Sequence, residues 1–199
     1  RRGCDTPLEQ CTSLGTSADY LLRRGLARPI SRGEMLERVE RSRELGLVIA
    51  TDNVQRRPGF ICHCCSCCCN LIGALTKYGS TTAIVSSSFV ARVDAAGCAG
   101  CARCVEACPI DAITLGGPAA AAAGARGPAR VDEQVCIGCG VCATRCKTAS
   151  LRLAPRTRRV FHPETTFERV ILQALQAGTL AELVFDNPSS RAQGFLRGF

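Results

Sequence analysis

The 199-residue chain holds 16 cysteines, no tryptophan and only 5% aromatic residues. A cysteine share of about 8% marks a chain stapled by disulfides or metals rather than by a large apolar core, and the 46% hydrophobic fraction itself counts the cysteines. The formal charge of +8 treats every cysteine as a neutral thiol, and no run of about 18 uncharged apolar residues is present to span a membrane as a helix.

Arg1 stands first and Met35 is the lone methionine, so a natural start upstream of Arg1 is expected. Cys4 and Cys11 form a loose pair near this end. Residues 17–51 read as helix, turn, helix, strand. Ser31 is the expected N-cap of the second helix, with Glu34 at the capping-box position and Gly46 as C-cap. Leu36, Val39 and Leu45 supply its expected apolar face, and Leu47–Thr51 reads as a strand. Such an order is compatible with a winged-helix-like DNA reader or with a small helical cap. The mixed charge of Arg38, Arg41 and Arg43 among acidic neighbours favours the cap.

Cys62, Cys64, Cys65, Cys67, Cys68 and Cys69 then crowd into eight residues. Cys62, Cys65 and Cys68 recur every three residues, and Cys64 and Cys67 form a second pair at that interval. One turn cannot aim six side chains at a single centre. A third iron–sulfur cluster, a redox-active thiol set or zinc site, and structural packing of small apolar thiols all remain open. His63, within the run, is a ligand, a proton donor or incidental.

Two further groups, Cys98, Cys101, Cys104, Cys108 and Cys136, Cys139, Cys142, Cys146, share one spacing at an offset of 38 residues. Aligning 91–115 with 129–153 gives about ten identities, among them Ala-Arg-Val-Asp at both starts, which marks an internal repeat. Each copy reads as a short strand, a cysteine loop, a short helix and a second strand, at Ala112–Leu115 and Ser150–Leu153. Two spacer residues let a tight loop wrap three thiolates around one cubane. Gly100, Gly138 and Gly140 permit the turns, and the fourth cysteine completes the cluster of the other copy. The expected ligands are therefore Cys98, Cys101, Cys104 and Cys146 for cluster I, and Cys136, Cys139, Cys142 and Cys108 for cluster II. Disulfides between such close neighbours would be strained, and zinc sites usually use separated ligand pairs. Gly116–Pro128, rich in Ala, Gly and Pro, is an expected exposed insertion between the copies. At the C-terminal end, Glu164–Gln176 reads as an amphipathic helix and Leu180–Phe185 continues its apolar pattern.

Cys98–Pro109 carries the complete Cys-x2-Cys-x2-Cys-x3-Cys-Pro motif. It resembles the bacterial-type ferredoxins with two 4Fe–4S clusters, over about residues 90–154. One departure is Lys147, where proline would usually follow the last cysteine; its charge is expected to raise the nearby cluster's potential. The order of the Cys4–Cys11 element, the crowded run and the tandem motifs is also similar to uncharacterised 4Fe–4S dicluster proteins of anaerobe and environmental genomes. In those proteins further cysteines precede this element, which implies that Cys4 and Cys11 are ligands separated from their partners; a disulfide between them is the alternative.

The expected fold class is α+β. A bacterial 2[4Fe–4S] ferredoxin-like module with a pseudo-twofold repeat (89–155) follows an N-terminal helical region (1–60) and a cysteine-rich segment (61–88), and precedes a C-terminal helical tail (156–199). The expected function is electron transfer by two 4Fe–4S clusters, with a third metal or redox site at Cys62–Cys69. The expected partners are redox proteins rather than nucleic acid, in the cytoplasm. An electron-input subunit or enzyme with its reactive site in the Cys62–Cys69 run is the alternative, and a redox-sensing DNA-binding regulator is a third. Each loaded cluster with four thiolates carries −2, so two bring the formal +8 to about +4. That weakens any case for nucleic acid built on charge.

Overall fold

The computed structural model describes residues 3–78, 87–116, 127–157 and 160–185. The chain forms two compact units, 1–52 with 59–161, and 53–58 with 162–199.

The larger unit begins with β1 (Thr12–Ser13), α1 (Gly15–Arg23), α2 (Arg32–Leu45), β2 (Val48–Thr51), β3 (Phe60–Cys64) and α3 (Asn70–Tyr78). The strands form a three-stranded antiparallel sheet in the order β1-β3-β2, with Thr12 opposite Ile61 and Val48 opposite Cys64. Side chains alternate along a strand, so Cys62 and Cys64 share one face of β3 while His63 takes the other, where it is fully buried. Burial, aided by the charge of Arg38, lowers the pKa of His63 and favours the neutral ring.

The stop and start signals of α2 act as its sequence implies. Ser31 Oγ accepts from the Glu34 N–H at 3.1 Å, and Gly46 ends the helix in the left-handed region at φ 71°. Its buried face differs from the expected apolar stripe. Leu36 is 50% exposed, whereas Ser42 is fully buried. The Ser42 hydroxyl donates to the Arg38 carbonyl at 2.7 Å and lies 3.4 Å from Oε1 of buried Gln10. The arginines direct their charge at local carboxylates: Arg38 to Glu34 at 3.0 Å, Arg41 to Glu44 at 2.9 Å and Arg43 to Glu40 at 3.0 Å.

The chain continues through β4 (Phe89–Val93), α4 (Arg103–Glu106), β5 (Ile113–Leu115), β6 (Ala129–Val131), α5 (Val141–Arg145) and β7 (Leu151–Pro155). β4 pairs antiparallel with β7, Ala91 opposite Leu153, and β5 with β6, Thr114 opposite Arg130. The first and last strands of this stretch thus enclose a central pair. Positive-φ positions recur at the 38-residue interval: Gly100 and Gly138, Ala102 and Gly140, Asp111 and Ala149. Asp94 and Asp132, which follow β4 and β6, accept from the Ala96 and Gln134 amides at 3.1 and 2.9 Å and so turn the chain into each cysteine loop. Most of the expected insertion at Gly116–Pro128 lies outside the described residues; its base is closed by the Gly116 N–H donating to the Pro128 carbonyl at 3.0 Å.

One core joins these halves of the larger unit. Val48 and α3's Ile72 and Leu75 pack with Ile110, Ala112, Ile137 and Val141. A second cluster contains Ala91, Cys104, Ile113, Ala129, Cys142 and Leu151. Cys108 and Cys136 pack against both.

In the smaller unit, residues 55–56 run beside 163–164. The Gln55 and Arg56 amides each donate at 2.9 Å, to the Pro163 and Glu164 carbonyls, and an Arg56–Glu164 ion pair closes at 2.9 Å. Two helices follow, α6 (Thr166–Ala177), capped by Thr165 and Gly178, and α7 (Leu180–Phe185). Only Ala174 of α6 is buried, and Phe167 is 77% exposed.

Two outcomes are expected from these local arrangements. A Cβ at Gly138 would stand 2.1 Å from the Phe89 carbonyl oxygen and 2.5 Å from Ser87 Oγ, at φ +67°. Gly138→Ala should therefore cost about 2 kcal/mol or more, visible as a lowered thermal midpoint, because a backbone atom blocks the way. The second concerns Glu34, whose hydrogen bonds from Arg28 and then Arg38 bring its pKa down to about 2. A depressed carboxylate stabilises the fold above its unfolded value of about 4.3, and that contribution is lost as pH falls through the folded value. Carboxyl-carbon NMR should show Glu34 still ionised at pH 4, and Arg28→Ala with Arg38→Ala should bring its titration up into that range.

Candidate metal centres

None of the 16 cysteines is joined in a disulfide, and they come together from separate stretches of chain. Cys98, Cys101, Cys104 and Cys146 line one pocket of about 340 Å³, its open mouth included. Cys108, Cys136, Cys139 and Cys142 line another of about 300 Å³. Each pocket takes three cysteines from one motif and the fourth from the other. The crossing follows from local structure. Three cysteines ride a loop and the first turn of a short helix, and the fourth lies just past the helix end, carried to the far side.

Backbone groups are aimed at these sulfurs. The Ala112 amide donates to Cys108 Sγ at 3.2 Å and the Ala129 amide to Cys98 Sγ at 3.4 Å. Thr148 and Ser150 hydroxyls each stand 3.5 Å from Cys146 Sγ. Burial works upward on the Cys146 thiol. Ser150, Thr148 and the neighbouring amides outweigh it and bring the pKa to about 6. Lys147, in the place of a proline, is exposed, whereas Pro109 is buried. The chain turns after both last cysteines all the same.

The third cysteine of each motif is the buried one. Burial raises the Cys104 pKa, and burial with the neighbouring Cys139, Cys108 and Cys136 pushes Cys142 up to about 12. Cys139 is raised as well, chiefly by burial. A buried thiolate with no cation nearby is costly, whereas a metal replaces the thiol proton and removes that cost. The donor sets therefore fit soft metal centres whose ligands are thiolates.

Arg156 holds the second motif in place. Its Nε donates to the Ser87 and Phe89 carbonyls at 3.2 and 3.1 Å, its Nη1 to the Glu133 carbonyl at 3.0 Å, and its Nη2 to the Cys136 carbonyl. No pattern in the sequence marks this residue, because all four acceptors are main-chain oxygens. A wider groove passes both sets, lined by Cys139 and Cys146 together with Arg43, Ile49, Arg152 and Leu153.

The remaining eight cysteines separate into two neighbourhoods. Cys4, Cys65, Cys67 and Cys68 have their sulfurs within 4.8 Å of one another. Thr6 hydrogen bonds lower Cys4 to about 6, and contacts with Cys4 and Cys65 hold Cys67 up at about 12. Elsewhere, the pairing of Thr12 with Ile61 leads Cys11 toward Cys62. Burial and then the charge of Cys11 raise the Cys62 thiol. Burial and then the Cys69 thiol push Cys64 up to about 12. Cys64 and Cys69 pack on the core cluster that also receives Cys108, Cys136 and Cys139. The interval of three that relates Cys62, Cys65 and Cys68 is not the grouping observed, because β3 stays extended through Cys64 and the bend begins only after it.

Among the described residues, no helix is long and apolar enough to cross a membrane. No curated protein matches the chain. Residues 97–150 match the family model of the 4Fe-4S dicluster domain, a span that holds all eight motif cysteines. With the cysteine pockets and the mixed helix and small-sheet fold, that match establishes a 4Fe–4S ferredoxin-like domain in this chain.

Proposed function

We propose that the protein is an electron carrier or redox subunit that holds two 4Fe–4S clusters and a third metal or redox site among its N-terminal cysteines. Cys98, Cys101, Cys104 and Cys146 would hold cluster I, and Cys136, Cys139, Cys142 and Cys108 cluster II. The observation that carries this reading is the pair of four-cysteine pockets, each built from both motifs. The 38-residue recurrence of left-handed backbone positions supports a pseudo-twofold module.

When bound, each cubane supplies a one-electron couple at a potential set by ligands, hydrogen bonds and exposure. The chain's own residues provide that setting. N–H donors at Cys98 and Cys108, and the hydroxyls at Cys146, favour added negative charge on the sulfurs and raise the potentials. Burial of Cys104 and Cys142 in an apolar shell works the other way. Cys108 and Cys136 pack on both core clusters and so keep the two centres close. The groove that reaches both sets is the candidate surface for a redox partner protein. The third site would draw its ligands from the Cys62–Cys69 run and from Cys4 and Cys11. Cys64 and Cys69 lie on the same apolar cluster as Cys136 and Cys139, which supports electron exchange with cluster II. The arginine–glutamate pairs along α2 leave little free positive charge there, which supports protein rather than nucleic-acid partners.

Anaerobic iron and sulfide analysis with EPR tests this directly. Two cubanes require about eight irons and eight sulfides, with paired, spin-coupled signals on full reduction. Cys108→Ser should weaken the cluster of the Cys136 motif and leave a single uncoupled signal from the other. If the damage fell on the cluster of Cys98, Cys101 and Cys104 instead, the crossed ligand sets would be wrong. An iron-free chain would overturn the electron-transfer reading.

A further inference from the structure

The six crowded cysteines cannot serve one centre, and the backbone shows where they part. β3 is extended through Cys64, after which the Cys69 amide donates to the Cys65 carbonyl at 3.3 Å and closes a tight bend. The bend carries Cys65, Cys67 and Cys68 on one knuckle. Residues 3–6 lie across it: Cys4 Sγ is 3.7 Å from Cys65 Sγ and 3.8 Å from Cys68 Sγ, and Cys67 Sγ is 3.7 Å from Cys68 Sγ. Gly3 completes the enclosure. A Cβ there would stand 3.4 Å from Cys67 Cβ and Cys68 Sγ, and its amide hydrogen-bonds the Cys68 sulfur.

These spacings identify the kind of centre. A tetrahedral ion with metal–sulfur bonds of about 2.3 Å sets its four sulfurs about 3.8 Å apart. A cubane places each thiolate on a different iron, and the sulfurs then stand wider. The same chain provides the contrast. Among the described residues, no other group of three or more cysteine, histidine or acidic ligands closes within 4.8 Å, the dicluster sets included. Two disulfides would draw the sulfurs together as pairs and would not hold all four at mutual contact.

We propose that Cys4, Cys65, Cys67 and Cys68 bind one divalent ion, zinc or ferrous iron, in a closed tetrahedral tetrathiolate site. Binding exchanges four thiol protons for one ion, so the loaded site carries −2. Four protein thiolates leave no position for a substrate. The site therefore staples residues 3–6 to the bend that leads into α3, and with a ferrous ion it would also carry one electron. This deepens the third-site part of the proposed function and does not depend on the dicluster part.

The test uses the full chain, purified anaerobically from medium containing both metals. Metal and sulfide analysis should find one ion beyond those matched by sulfide. Zinc should show four sulfurs at about 2.3 Å and no short metal–metal distance by K-edge absorption, whereas iron should show a high-spin ferrous tetrathiolate Mössbauer doublet. Both measurements read the wild-type protein and do not require a variant to fold. Cys4→Ser with Cys67→Ser should lose this ion and keep the sulfide-matched iron. The proposal fails if no unmatched ion is found, if the ion survives the double replacement, or if about four irons and four sulfides leave together. It fails equally if thiol counting shows these cysteines oxidised to disulfides in the anaerobic protein. An iron-free chain that still holds one zinc on four sulfurs would support this site and overturn the dicluster reading, so the two failures are separable.

Discussion

A thiolate buried in an apolar shell needs a cation, and the larger unit is built around that need. Cys104 and Cys142 sit inside the same core cluster as Ala91, Ile113, Ala129 and Leu151. Left as thiols they keep their protons, since burial holds Cys142 near 12. As lone thiolates they would carry the high cost of an unpaired buried charge. A metal that replaces those protons turns the cost into cohesion, which is why cysteine-rich chains can dispense with a large aromatic core. The two central sheets are short and two-stranded, and sheets of that size are marginal alone.

The rest of the unit serves to hold the cysteine loops open at the right places. β4 with β7 and β5 with β6 anchor the two ends of each motif. Left-handed positions at Gly138 and Gly140 let the backbone fold tightly between thiols, and at Gly138 the Phe89 carbonyl comes so close that no side chain fits. Arg156 gathers carbonyls from three places into one hub below Cys136. The N-terminal sheet and α3 lie on the same core as Cys108 and Cys136. The N-terminal sheet and α3 are thus part of the packing around the ferredoxin-like domain.

The N-terminal cysteines show how a short bend can part neighbouring side chains. Extended backbone sends alternate side chains to opposite faces, and a tight turn sends successive ones outward around a knuckle. Cys62 and Cys64 belong to the first regime, and Cys65, Cys67 and Cys68 to the second. The change of backbone state between Cys64 and Cys65 decides which sulfurs meet.

Much of this was legible from residue spacing. The repeated two, two and three spacing, the glycines within it and the Pro after Cys108 implied two thiolate-lined sites in an α+β module, because those spacings leave the backbone few ways to turn. Ser31, Glu34 and Gly46 likewise marked the ends of α2 through local hydrogen bonding alone. Beyond the two motifs, spacing could not supply contacts between residues far apart in the chain. That Cys4 meets Cys65 and Cys68, that Arg156 binds the Cys136 carbonyl, and that Ser42 rather than Leu36 faces inward all depend on where separate segments pack. Local sequence determines how the chain turns at each cysteine. For the N-terminal thiols, only the tertiary structure decides which sulfurs meet, because that choice rests on long-range packing and main-chain hydrogen bonds that carry no residue signature.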